Sequence, residues 1–235
     1  ADGLKLLSRA IGKNRDFRVP LRGESADLIS MVKKTADHHL SELTTKTANT
    51  VEDLIDVQKK LHLEKFPHRI ECYDISHFQG EGTVASRVVF IDGVPEKSFY
   101  RHYHVETVDQ PDDFKSMREI LDRRFTKSSD SGLPDLVIID GGKGQLAQAE
   151  AVFTELGVRG IDLVSLAKAR TEAGFEEAEV KGSLERVFKP NQKNPIMLKP
   201  GTGVYRILVQ ARDEAHRFAI TFHRKIRDQR VIKGR

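Results

Sequence analysis

The sequence predicts an α/β domain on a mixed sheet, preceded by a helical extension, and three observations carry that reading. The apolar period changes from helical to alternating after Pro67; an all-apolar run, Leu136-Val137-Ile138-Ile139, ends in Asp140 and glycines; helical spacing returns after Gly201. Alternation marks a half-buried strand, whereas a continuous apolar run before a Gly-rich turn is how a buried parallel strand delivers a polar group to the carboxyl edge of a sheet. The expected division is 1–66 as a mainly helical extension packing on the core and 67–235 as the main domain, which suits a chain of 235 residues.

Each element follows in order. Leu28, Met31, Val32, Leu40 and Leu43 recur at helical spacing, as do Val51, Leu54, Ile55, Gln58 and Leu61, so two helices are expected around a break from Thr44-Thr45 to Asn49-Thr50. Pro67 ends the second. Ile70 to Ser76, Val84 to Ile91 and Lys97 to Val105 predict an antiparallel meander, with Asp92-Gly93 as a tight turn. A helix from Asp112 to Phe125 places Phe114, Met117, Leu121 and Phe125 on one face, with Asp112 as its cap. After the polar connector Thr126 to Pro134, the strand Leu136 to Ile139, a helix from Gln145 to Leu156 and the strand Ile161 to Leu166 form a β-α-β unit, expected to be right-handed. Lys168 to Ser183 reads as a mobile charged loop, and Glu185 to Phe188 with Ile196 to Leu198 as a small hairpin. Terminal helices are expected from Gly201 to Gln210 and from Asp213 to Arg230, the second packing through Ala215, Phe218, Ala219 and Phe222.

Composition narrows the class. No apolar run approaches the roughly 18 residues of a membrane span, so no membrane partner is expected. The opening Ala1-Asp2-Gly3-Leu4-Lys5 is polar, without a secretory core, and its lack of methionine reads as a fragment or processed product. The single cysteine, Cys72, excludes an internal disulfide and fits a reducing, cytoplasmic setting. Its place on a buried strand face makes it a packing group. The formal charge of +4 is mild, but from Arg212 onward eight Lys or Arg face three acids, an excess of five. That is an electrostatic footprint for nucleic acid, or equally a solvated helix face.

Two aspartates carry the chemistry. Asp74 shares one side of its strand with Ile70, Cys72 and Ser76, and Asp140 ends the apolar strand; if these strands are neighbours, the carboxylates converge on hard divalent cations. Gly141-Gly142-Lys143-Gly144-Gln145 is not a P-loop, since no Gly-Lys-[Ser/Thr] follows at the required spacing. The turn either brings backbone N–H groups and Lys143 to a DNA phosphate or serves only to turn the chain. His102 and His104, two apart on a strand, lack a third ligand nearby; His77 orients a neighbour or faces solvent; the adjacent His38 and His39 read as surface residues. No Gly-x-Ser-x-Gly elbow surrounds Ser76.

Three antiparallel strands, a helix, a parallel strand, a helix, another strand and a terminal helix are the order of the ribonuclease H-like fold. The blocks Glu71-Cys72-Tyr73-Asp74-Ile75-Ser76-His77, Val84-Ala85-Ser86, Tyr100-Arg101, Pro111-Asp112-Asp113-Phe114, Ile139-Asp140-Gly141-Gly142-Lys143-Gly144-Gln145-Leu146 and Arg212-Asp213-Glu214-Ala215-His216-Arg217-Phe218-Ala219 closely resemble the C-terminal half of the UvrC family, from about Leu6 to Arg230. UvrC is the incision subunit of bacterial nucleotide excision repair. The resemblance implies a ribonuclease H-like endonuclease domain, spanning 67–235, that cuts damaged double-stranded DNA on the 5′ side of a lesion. It implies a metal-bound triad on Asp74, Asp140 and His216, with Mg²⁺ or Mn²⁺ as cofactor and UvrB on DNA, with UvrA upstream, as partner. A further family carboxylate implicated in incision falls on Asp113, although an aspartate in a first helical turn also complements the helix dipole. His216 would supply a neutral nitrogen ligand or carry a proton, since its unperturbed pKa lies near 6.5. Arg217, Arg224, Lys225 and Arg227 are the DNA-contact candidates of the basic tail, beside Lys143.

Nothing resembles the family's N-terminal GIY-YIG nuclease domain, its UvrB-binding segment or its tandem helix-hairpin-helix module, so one incision centre is expected with reduced DNA affinity. Two other readings remain open: a nuclease-like scaffold that holds DNA or a partner without cutting, and a phosphohydrolase using Asp140 and the glycine turn. Metal-dependent nicking and turnover of free nucleotides separate them.

Overall fold

The computed structural model describes residues 20, 22–78, 82–105, 113–126, 132–168 and 185–233, with side chains described throughout except at 39, 41–47, 76–78, 82–83, 113–114 and 222–233. Contacts divide the chain into two compact units, Ala1–Ala48 and Asn49–Arg235. Helix α1 (Glu24–Leu61) is continuous, so the break expected near Thr44 to Thr50 does not occur. It contains neither Gly nor Pro, and its Thr and Asn residues each cost only about 0.7 kcal/mol or less against Ala, whereas a second helix would have to be nucleated afresh. In the first unit Leu28, Met31, Val32 and Leu40 are exposed. In the second the helix buries Leu54, Val57 and Leu61 and leaves Val51 and Ile55 exposed, a face rotated from the one the spacing selects.

The elements of the second unit run β1 (Arg69–Phe78), β2 (Gly82–Ile91), β3 (Val94–Pro95), β4 (Arg101–His104), α2 (Asp113–Phe125), β5 (Leu136–Asp140), α3 (Lys143–Glu155), β6 (Asp162–Lys168), β7 (Glu185–Phe188), β8 (Ile196–Leu198) and α4 (Gly203–Lys233). The described strands form one sheet in the order β3-β2-β1-β5-β6-β7-β8, with β4 also paired to β2. Pairing is antiparallel from β1 through β2 to β4, parallel from β1 through β5 to β6, and antiparallel again from β6 through β7 to β8. This is the mixed sheet of the ribonuclease H-like order, with the predicted β7–β8 hairpin joined to its edge.

Two expectations change in detail. The third strand is shorter than Lys97 to Val105, because Glu96 accepts hydrogen bonds from the Ser98 N–H and hydroxyl and draws Lys97–Phe99 into a 3-10 turn. The two terminal helices are one, α4, with no Gly or Pro after Gly203. Arg212, at the supposed junction, is buried and ion-paired, so a charge there does not end the helix. Asp92 and Gly93 both have positive φ, 49° and 76°, as a type I′ hairpin requires. A Cβ on Gly93 would lie 2.4 Å from Thr50 Cγ2, so glycine is needed for packing as well. Of the loop expected from Lys168 to Ser183, Lys168 ends β6, and the rest, like Asp112, lies outside the described residues.

Helices cover both faces of the sheet. One face packs Ile70, Cys72, Val88, Leu136 and Ile138 under the end of α1 and under α4; the other packs Tyr73, Ala85, Val137 and Ile139 under α2 and α3. The first turn of α4 is fixed by α1: the Val204 N–H donates to Asp56 Oδ2 at 2.9 Å, and Arg206 pairs with Asp53. Carboxylates at a helix N-terminus also complement its dipole. The carbonyls of Leu61, the last residue of α1, and of His62 just after it accept from the Lys189 ammonium.

Candidate metal centre

Strand pairing places the two aspartates together. β1 and β5 are parallel neighbours with Tyr73 opposite Ile139, so one step further Asp74 and Asp140 stand side by side at the carboxyl edge, on adjacent strands about 4.8 Å apart. Helix α4 crosses the same face, burying Ala211 and Ala215, whose small side chains permit close approach. Ser86 sits opposite Asp74 on β2 and is fully buried; its hydroxyl donates to the Ala215 carbonyl at 3.0 Å. The helix is thereby pinned to the sheet at the residue before His216. His216 Nδ1 consequently lies 3.4 Å from Asp74 Oδ2. One donor atom from each of Asp74, Asp140 and His216 lies within 4.8 Å of the others. Asp74 is 6% exposed, whereas the His216 side chain is 62% exposed, so the cluster is closed below and open to solvent on the helix side.

The electrostatics are those of a site short of positive charge. Burial and the neighbouring Asp74 charge push the Asp140 carboxyl up to about 6, although Arg212 and His216 pull the other way. Arg212, one helical turn before His216, is buried and donates to Glu185 of β7 and to Asp213 Oδ1 at 3.1 Å. Burial pushes the Cys72 thiol well up, and the charges of Asp140 and Asp74 push it further, which agrees with a packing group and not a nucleophile.

Two carboxylates and an imidazole suit a divalent cation. Donors bound to one ion at about 2.0–2.6 Å stand at most roughly 5 Å apart, and the three donors of this site satisfy that limit. The raised Asp140 pKa adds a testable consequence. Because the folded value lies above the ordinary 3.8, the folded state loses stability as pH rises between the two, and the full penalty, of the order of 3 kcal/mol, persists above about pH 6. Asp140→Asn is therefore expected to raise the melting temperature of the chelator-treated protein at pH 7–8 by several degrees and to leave it nearly unchanged near pH 4. A variant no more stable than wild type at pH 8 would show that Asp140 is not strained.

The remaining predicted residues are placed less uniformly. Asp113 opens α2, but its side chain lies outside the described residues. Lys143 is the exposed first residue of α3. Arg217 is held in bidentate contact by Glu214, at 2.7 Å on both arms, and so is committed within its own helix. Arg224, Lys225 and Arg227 lie on the last turns of α4, with side chains outside the described residues. His102 does not join the cluster; it stacks on Phe218 at 3.8 Å between centroids. Sequence reasoning missed Ser86, Arg212 and Glu185. Only the first had a signal, since counting back along the β1–β2 hairpin sets Ser86 against Asp74.

Comparison with known proteins agrees with this architecture. The family model for the UvrC RNase H endonuclease domain matches residues 58–220. UvrABC system protein C of Citrifermentans bemidjiense is 44% identical over 230 residues, covering 98% of this chain and 37% of that protein. Those of Bdellovibrio bacteriovorus and Gloeobacter violaceus are 44% and 40% identical, covering 95% and 97% of this chain and 35% of each protein. The chain thus spans little more than a third of the length of these relatives. Among solved structures, Ciona intestinalis endonuclease V in complex with an inosine-containing 24mer DNA superposes at a TM-score of 0.41 and 14% identity, over 81% of this chain and 99% of that one, too loose a likeness to bear on chemistry. With the family model matching well over half of its residues, the chain belongs to the UvrC family and carries its RNase H endonuclease domain.

Proposed function

We propose that this chain makes the 5′ incision beside a DNA lesion in nucleotide excision repair, by metal-dependent hydrolysis of a phosphodiester bond. The observation that carries the reading is the convergence of Asp74, Asp140 and His216 from three elements onto one open edge. The cofactor is Mg²⁺ or Mn²⁺; when bound, it supplies a water made nucleophilic near neutral pH and neutralises charge on the non-bridging oxygens. Asp74 and Asp140 provide the fixed negative charge that retains it, on strands too stiff to swing away. His216, on the solvent side, lends a nitrogen or carries a proton. Lys143 balances a phosphate beside the site, and Arg224, Lys225 and Arg227 meet the backbone further away, whereas Arg217 is already neutralised by Glu214. Asp113 assists incision. The substrate is lesion-bearing duplex DNA presented by UvrB, with UvrA acting earlier, in the bacterial cytosol. No helix among the described residues is long and apolar enough to cross a membrane.

The test restores the domain to a longer UvrC chain with UvrA, UvrB and a lesion duplex already cut on the 3′ side. Wild type and Cys72→Ala should cut the 5′ side equally and only with divalent cation, while His216→Ala should fall by about 10²-fold or more, on the order of 3 kcal/mol of barrier. Cutting that persists in excess chelator, or an unimpaired His216→Ala protein, would reject the proposal.

A further inference from the structure

Between α3 and the β7–β8 turn, reaching Lys143 at the start of the helix, lies a cleft of about 220 Å³. One wall is α3, with Lys143, Ala147 and Glu150; the other is the β7–β8 turn, with Asn191, Gln192 and Lys193. The turn is prebuilt. Pro190 and Asn191, the latter with φ of 59°, occupy the middle of a type II turn closed by the Gln192 N–H donating to the Lys189 carbonyl at 3.3 Å. Gln192 Nε2 donates onward to the Asn194 carbonyl at 2.9 Å, and Lys189 is tied to the end of α1.

The charge of this hairpin is one-sided. Residues 185–199 carry Arg186, Lys189, Lys193 and Lys199 against a single acid, Glu185, which is buried against Arg212. Among the described residues no carboxylate forms an ion pair with Lys143 or Lys193. Lys143 is also the third residue after Asp140, which limits their Cα separation to about 11 Å, within a nucleotide or two of a strand held at the carboxylates. The carboxylates face α4 and α3 covers the other side of the sheet, so a strand held at them rounds the carboxyl edge at the glycine turn, past Lys143, to meet the second lysine across the cleft.

We infer that this cleft is the track for the sugar-phosphate backbone of the strand being cut, with Lys143 and Lys193 contacting successive phosphates from opposite walls. The apolar surface of Ala147 and Pro190 suits the sugars between them. The inference rests on the endonuclease reading, and it adds the β7–β8 turn, which that reading does not use. An acidic protein segment is the competing occupant; the short reach from a catalytic carboxylate favours DNA.

The experiment measures binding of a labelled duplex by fluorescence anisotropy across about 50–200 mM salt, using the 235-residue chain. Lys143→Gln, Lys193→Gln and their double variant are compared with Lys33→Gln, an exposed change on α1. Each cleft variant should flatten the log–log salt slope by about 0.9, with roughly tenfold weaker binding at the lowest salt, and the double by about 1.8, with roughly hundredfold weaker binding. Lys33→Gln should match wild type, and calorimetric Mn²⁺ binding should be the same in all. If wild type binds both DNA and Mn²⁺ while the double variant keeps the wild-type slope, the cleft is rejected and the endonuclease reading survives. Polyglutamate that competes as well as unlabelled DNA, charge for charge, would give the cleft to an acidic segment and also reject it. Wild-type protein that takes up neither DNA nor Mn²⁺ would overturn the cleft together with the reading beneath it.

Discussion

Asp74→Asn protein is expected to fold, to bind DNA as wild type does, and to cut at least about 10³-fold more slowly, on the order of 4 kcal/mol of transition-state stabilisation. Asparagine keeps the shape of the side chain and removes the charge on the more buried of the two strand carboxylates. Loss should therefore appear in Mn²⁺ affinity and in the rate, with DNA affinity unchanged. The fold has a reason to tolerate the change: Asp74 is one of the charges that push Asp140 up, so its removal relaxes a neighbour. The melting temperature of the chelator-treated variant should consequently equal or exceed that of wild type. Wild-type 5′ incision by this variant would sink the assignment of the centre. A collapsed fold would instead mean that Asp74 is structural.

The second large effect lies on the other face of the sheet. Glu71 is fully buried; its carboxylate accepts from Arg124 Nη2 at 2.8 Å and Nε at 3.0 Å, from Arg69 Nε at 3.1 Å and from the Tyr73 hydroxyl at 2.8 Å. Arg87 Nη1 approaches to 3.9 Å. Burial alone would raise the Glu71 pKa, but the Arg124 hydrogen bonds and the charges of Arg87 and Arg124 hold it below the usual carboxylate range. Glu71→Gln leaves buried guanidinium groups without their carboxylate, a situation that costs about 3–5 kcal/mol. For a domain of this size that is roughly 6–20 °C of melting temperature. The sign with pH follows: a lowered folded pKa means the contribution is complete above about pH 4.5 and is lost as pH falls through the folded value, so the two proteins should converge in strong acid. Urea denaturation at pH 7 and pH 3 measures both, and a loss below about 1 kcal/mol at pH 7 would show that solvent reaches the cluster.

The carboxylate pair was legible because each aspartate was tied to a local pattern: alternation around Asp74, and an apolar run ending in Asp140. Adjacency of the two strands then does the rest. His216 had no such pattern, since a histidine among charges on a helix looks like surface, and it was reached through the resemblance. Glu71 was opaque for the opposite reason. Arg69, Glu71 and Tyr73 alternate like a solvated face, and the groups that bury them arrive from Arg87 and Arg124, far along the chain. α1 and α4 are each continuous where the sequence reading expects a break, at Thr44 to Thr50 and between Gln210 and Asp213, because only Gly or Pro carries a cost large enough to interrupt a helix. A buried Arg212 paired with a strand residue cannot be recognised from spacing on one helix.

The grip of α1 on α4 has a consequence for how small an autonomous piece of this protein can be. The change of period at Pro67 invites a fragment that begins at the first strand. Such a fragment would lack Asp53 and Asp56, which hold the first turn of the helix that carries His216, and would uncover the groove filled by Leu54, Val57 and Leu61. The minimal folding unit therefore reaches back to about Asn49, where the second compact unit begins. Trimming into the last turns of α1 is therefore expected to loosen the histidine from the far end of its helix, without altering Asp74, Asp140 or His216 themselves.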